Sequence, residues 1–150
     1  MRAILVGTNH ADQMHGYEKG EYQQFTIFLR DLIALEKPDL LAEEMSKPAL
    51  LHWRVQDSVL ELIAKEMKLA HVFCDPTQEE RDSLEIPRDD SETLVTARES
   101  FWLKKVKEQS CSKFIFVLGE KHVNSFGSIL KLNNIDVHRE IGAWRPNKAV

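Results

Sequence analysis

Short apolar runs, each closed by a chain breaker or an acid, alternate along the chain with stretches of helical period. Ala3–Val6 stops at Gly7, and Leu40–Ala42 runs into Glu43 and Glu44. His71–Cys74 is closed by Asp75 and Pro76, Phe114–Leu118 by Gly119, and a last run covers Ile135–Arg139. Runs this short, bounded by glycine or proline, are strands rather than helices. Between them Tyr22, Phe25, Phe28, Leu29, Leu32 and Leu35 recur at helical spacing until Pro38 ends the element. Ser46 caps a second helix with Pro48 in its first turn and a stripe of Leu51, Val55, Val59, Leu62, Ile63 and Met67. Thr77–Glu80 reads as a capping box opening a short turn, Ser91 starts a helix through about Gln109, and Val123–Leu132 is helical. Thr8–Gly20 and Glu85–Asp90 read as polar loops. The strands lack clean alternation, as expected when helices cover both sheet faces. The expected fold is α/β: one domain over residues 1–150, with a mostly parallel sheet of about five strands and helices on both faces.

A chain of 150 residues has room for one such domain. Residues 143–150 read as a polar tail carrying one Trp. With 24 acids against 20 bases the net charge is −4, which disfavours a nucleic-acid partner. No apolar run approaches the ~18 residues of a membrane span, and the first residues lack the long apolar segment of a signal peptide. Cys74 and Cys111 form no CxxC pair. A reducing cytoplasm is the expected location, with no membrane partner.

In open parallel sheets ligands bind beyond the carboxyl ends of the strands. Gly7-Thr8-Asn9-His10 follows the first strand, Glu43 and Glu44 the second, Asp75 the third, and Gly119-Glu120-Lys121-His122 the fourth. The pattern Gly-x-x-His thus occurs twice, each time directly behind an apolar run. One copy is weak evidence; two in this setting are much harder to obtain by chance. The glycine permits a sharp turn and a close approach to a ligand, and the histidine can point back over the sheet edge. Two imidazoles facing a strand-end glutamate suit general acid/base catalysis or ligation of a divalent metal. The expected catalytic set is His10, His122, Glu44 or Glu43, and Arg98. Gly7, Thr8, Asn9, Asp75, Gly119 and Glu120 are expected to touch substrate, and a metal would take His10, Glu44 and His122.

Arg98 joins this set because it shares a helix face with Val95, Trp102 and Val106, next to Glu99. Either it snorkels to solvent, or it reaches the cleft and holds a carboxylate or phosphate. His15 can also reach the cleft, whereas His52, His71 and His138 are read as structural or surface residues. Cys74 is read as a core thiol, and Cys111 lacks a base to activate it.

These residues resemble the TraB/PrgY/TIKI superfamily, whose wider group includes erythromycin-esterase-like and ChaN-like proteins. The resemblance rests on the paired Gly7-x-x-His10 and Gly119-x-x-His122, the acid in Leu-Leu-Ala-Glu-Glu, the Arg98-Glu-Ser-Phe-Trp102 helix, and their order. It implies a hydrolytic or ligand-binding cleft of two histidines, one or two glutamates and an arginine. TIKI members are described as metal-dependent proteases, while others act on esters or bind haem. This chain is shorter than typical members, with the inserted helical region reduced to residues 77–92, and Glu43 and Glu44 are both open as the matching acid.

The function expected from these residues is a small cytoplasmic hydrolase. It would act on an ester, phosphoester or peptide bond of a small-molecule or peptide substrate. Catalysis would use general acid/base chemistry or water activated by a divalent metal such as Mn or Zn. The alternative is a non-catalytic small-molecule-binding or sensor domain using the same cleft. A nucleotidyltransferase would need a His-x-Gly-His element, which His15-Gly16 does not supply.

Overall fold

The apolar runs all become strands of one sheet. The computed structural model describes residues 1–86 and 92–147. The strands are β1 (Arg2–Thr8), β2 (Leu40–Glu43), β3 (Ala70–Phe73), β4 (Lys113–Gly119) and β5 (Asp136–Ile141), and every pairing is parallel. Their order is β3-β2-β4-β1-β5. The helices are α1 (His10–Gln13), α2 (Tyr22–Glu36), α3 (Lys47–His52), α4 (Val59–Met67), α5 (Gln78–Ser83), α6 (Glu92–Lys107) and α7 (Val123–Leu132).

Both sheet faces are covered, as the unalternating strands required. Ala3, Leu5, Ala42, Phe114, Phe116 and Leu118 pack against α6 and α7 through Trp102, Val106, Phe126 and Leu130. Ile4, Val6, Leu41, Ile115 and Val117 pack against α2 and α4 through Phe25, Leu29, Val59 and Ile63. The chain therefore leaves β1 across one face and leaves its neighbour β4 across the other. A crevice opens where adjacent strands send their connections to opposite sides. Both Gly-x-x-His segments lie at that point.

Three sequence readings need correction. The helix expected from Ser46 through Met67 is two helices. Arg54 takes a left-handed φ of 57°, Val55 turns inward and is buried, and the Ser58 hydroxyl caps α4 by accepting from the Glu61 amide at 3.0 Å. Leu51 is consequently exposed rather than part of an apolar stripe.

The segment Thr8–Gly20 is not simply a polar loop. It contains α1, with Asp12 and Gln13 buried because each finds a partner: Asp12 accepts from the Glu21 amide at 2.8 Å, and Gln13 reaches Glu43.

Finally, the expected polar tail is anchored. Trp144 is 7% exposed, packs on Phe25 and Phe28, and donates its amide to the Gly7 carbonyl at 2.6 Å. The Thr77–Glu80 capping box forms as read, with both reciprocal hydrogen bonds present. Ser91 as a helix start, Pro87–Asp90 of the expected loop and the last three tail residues lie outside the described residues.

Candidate functional site

Strand parity decides which glutamate enters the crevice. Successive strand residues face opposite sides. Ala42 faces α6 and Leu41 faces α4, so Glu43 points with Leu41 and Glu44 with Ala42. Glu44 is almost wholly buried, 3% exposed. Its Oε2 accepts the Gly119 amide at 2.7 Å, and its Oε1 accepts Arg98 Nη2 at 2.8 Å. His10 Nε2 lies 3.6 Å and His122 Nε2 3.7 Å from the same Oε1. One carboxylate oxygen is thus the meeting point of both histidines and the arginine.

Arg98 is the bridge expected from its apolar helix face, with a side chain 17% exposed. Besides Glu44 it donates Nε (3.1 Å) and Nη2 (2.8 Å) to Asp75 Oδ1. Asp75 also accepts from Trp102 Nε1 at 3.1 Å and from Arg81 at 3.2 Å. It serves as the anchor of the arginine as well as part of the cavity wall. Burial and charge act against each other on Arg98, and its carboxylate partners hold its pKa above the ordinary value.

Each histidine is fixed through its other ring nitrogen. Gln13 spends its amide nitrogen on Glu43 Oε2 (3.4 Å), so its Oε1 is the acceptor for His10 Nδ1 at 2.8 Å. His122 Nδ1 donates to Glu99 Oε1 at 3.0 Å, and Ser125 donates to the same oxygen. Both rings therefore turn Nε2 toward Glu44. The Glu99 hydrogen bond is the largest cause raising the His122 pKa, and the Glu44 charge adds to it, while burial opposes. Gln13 and Glu99 were not expected in the site. Glu99 leaves a trace in the sequence as an acid beside Arg98 on a core-facing helix, whereas Gln13 leaves none.

The remaining expected residues divide. Glu43 belongs to a separate buried network: Ser58 donates to its Oε1, His71 Nε2 lies 2.9 Å from the same atom, and it reaches the site only through Gln13. Thr8 is buried and donates to Asp12 at 3.3 Å, and Asn9 is the exposed cap of α1; neither is among the residues that line the cavity beside His10. Glu120 pairs with Arg145 at 2.8 Å, which lowers its pKa. His15 stacks edge-on against Tyr22. Cys74 is fully buried, and burial pushes its thiol pKa well up, which leaves it unreactive at neutral pH.

The two glycines do different work, and neither takes a left-handed φ. A Cβ at Gly119 would lie 3.1 Å from His10 Nε2 and 3.2 Å from Glu44 Oε2, so this glycine makes room for the site itself. A Cβ at Gly7 would lie 2.3 Å from the Gly142 carbonyl oxygen and 2.6 Å from Val123. Gly7 therefore lets the chain pack closely against Gly142 and Val123.

A divalent ion on His10, His122 and Glu44 does not fit this arrangement. Both Glu44 oxygens already have donors, and a guanidinium sits where the ion's charge would lie. Among the described residues no group of three or more His, Cys, Asp or Glu side chains converges as a metal site.

A cavity of about 430 Å³ opens beside the cluster. His10, Glu44, Asp75 and Arg98 line one end, and Met14, Tyr17, Met45 and Trp53 form much of the rest. His122 is not in that lining; its Nε2 stands 3.7 Å from the Oε1 of Glu44, which is. None of the apolar wall residues was singled out from sequence. No protein-family model matches the chain, and neither a curated protein nor a solved structure does.

Proposed function

We propose that the protein is a hydrolase that uses His10 and His122 as a general base and general acid without a metal. The supporting observation is the convergence of two imidazole Nε2 atoms on one buried, arginine-held carboxylate at the mouth of a cavity. The paired Gly-x-x-His resemblance to the TraB/PrgY/TIKI superfamily supports a hydrolytic or ligand-binding cleft, while the metal-free form rests on the donors already held by Glu44.

The chemistry follows from the tautomers. With Nδ1–H donated to Gln13, a neutral His10 presents a free lone pair at Nε2, which can accept a proton. His122, whose charged form Glu99 and Glu44 favour, presents an Nε2–H. Paired groups whose environments differ take opposite acid and base roles. Water attacks the acyl carbon as His10 Nε2 takes its proton. The bond to the leaving oxygen then breaks as His122 Nε2 gives that oxygen a proton. Exchange with solvent afterwards removes the proton from His10 and restores one to His122. Glu44 holds the charge balance between the rings, and Arg98 fixes Glu44.

The test is turnover of carboxylic esters by the wild type and by His10→Ala and His122→Ala. General acid/base groups contribute ~10²–10⁴-fold each, so each variant should lose at least ~10²-fold while remaining folded by circular dichroism. Near-native rates in both variants would refute the assignment. Histidine-dependent ligand binding with no turnover would make the cleft a sensor site instead.

A further inference from the structure

We infer that the cavity beside His10 is an apolar-chain pocket for an uncharged ligand whose carbonyl carbon lies at the His10 end, within reach of water activated by His10 Nε2. On the hydrolase reading above, on which the ester form of this inference rests, the substrate is a neutral carboxylic ester with an apolar acyl group.

The argument begins with the walls. Ala11, Met14, Tyr17, Met45, Ala49 and Trp53 surround a volume of about 430 Å³, within the usual range of small-molecule sites. Methionines adapt to irregular apolar ligands. Met14 and Met45 are buried in a small cluster with Leu50 and Val55, which fixes the wall from behind. Trp53 is 52% exposed and stands edge-on to Tyr17, with ring centroids 6.0 Å apart. Large exposed apolar surface beside a cavity marks a surface that a ligand covers. Lys19 also lines the cavity but is itself exposed.

Charge at the reacting end narrows the ligand further. Glu44 and Asp75 supply two carboxylates there, and the guanidiniums that face them are committed, Arg98 to both and Arg81 to Asp75. A phosphoester or a free carboxylate placed at His10 would lie against Glu44 with both guanidiniums already committed, whereas an uncharged ligand needs no such partner. The acyl chain then runs along the Met and Trp walls.

The experiment uses the full chain and two ligand series. In the first, kcat/KM is measured for 4-nitrophenyl acetate, butyrate and hexanoate, with 4-nitrophenyl phosphate beside them. Each methylene buried should raise kcat/KM about fourfold until the cavity is filled, and the phosphate should be the poorest substrate. Trp53→Ala should flatten the slope, and Ala49→Phe should shorten the best chain. In the second series, Kd is measured by calorimetry for non-hydrolysed aliphatic methyl ketones of increasing length, which needs no turnover. Ketone affinity that rises with length supports the pocket even if no ester is cleaved, an outcome that would sink the hydrolase reading alone. Ketone affinity independent of length, or preference for the phosphate, overturns the pocket whatever the esterase result.

Discussion

Replacing Arg98 by alanine should cost about 3 kcal/mol of stability. In the folded protein its guanidinium holds Glu44, which is 3% exposed, and Asp75, which is 16% exposed. Removing one partner of a buried ion pair typically costs about 3–5 kcal/mol, because the other charge is stranded. Here the lower end applies, since Asp75 keeps Arg81 and Trp102, and Glu44 keeps the Gly119 amide. About 3 kcal/mol, with a urea m-value of ~2 kcal/mol/M, shifts the unfolding midpoint by ~1.5 M. Arg98→Met separates charge from packing: it keeps a long stem against Trp102 but should recover little of the loss. Arg98→Lys should recover only part, because an ammonium lacks the planar fork that spans two carboxylates. Urea unfolding followed by tryptophan fluorescence at pH 7 reads these effects. A cost below ~1 kcal/mol, or full recovery in Arg98→Met, would show that the bridge is not what holds this corner together.

Two further outcomes follow from the site geometry. Gly119→Ala crowds His10 and Glu44 and should lower turnover with a stability loss under ~1 kcal/mol, while Gly7→Ala strikes the Gly142 backbone and should cost ~1–3 kcal/mol or more, read by the same unfolding assay; equal stability losses would refute the distinct roles. Because His122 has a raised pKa, its pairing stabilises the fold fully below its unfolded value of ~6.5 and loses that contribution as pH climbs through the raised folded value. Glu99→Gln should therefore show its largest stability deficit on the acid side of that window, and it should move the alkaline limb of turnover to lower pH; an imidazole titration by NMR unchanged from wild type would contradict this.

The fold and the neighbourhood of the site were legible because both rest on local signals. Apolar runs ended by Gly7, Asp75 or Gly119 are strands whatever surrounds them, and a strand-end residue in a parallel sheet lies at the ligand-binding edge. Arg98 was legible for a related reason, since a charge on an apolar helix face needs a partner. The split at Arg54 was hidden because Val55 and Val59 continue a helical spacing that the Ser58 cap interrupts. Trp144 looked like part of a tail because its partners, Phe25 and Phe28, lie far away in sequence.

What sequence alone determined, then, is the α/β class, the paired histidine turns and an arginine in search of a carboxylate. What only the tertiary structure decided is which carboxylate that is and what fixes the imidazoles. Leu40, Leu41 and Ala42 are all buried, so the strand carries no polar alternation to reveal its parity, and Glu43 and Glu44 are equivalent on paper. The packed sheet sends Glu44 toward Arg98 and Glu43 toward Ser58 and His71. Gln13 and Glu99 reach their histidines by side-chain directions that arise only once α1 and α6 are docked on the sheet, and the cavity lining joins residues from four separate stretches of chain. Periodicity records which face a residue turns to the core; it holds no record of which distant residue it will meet there.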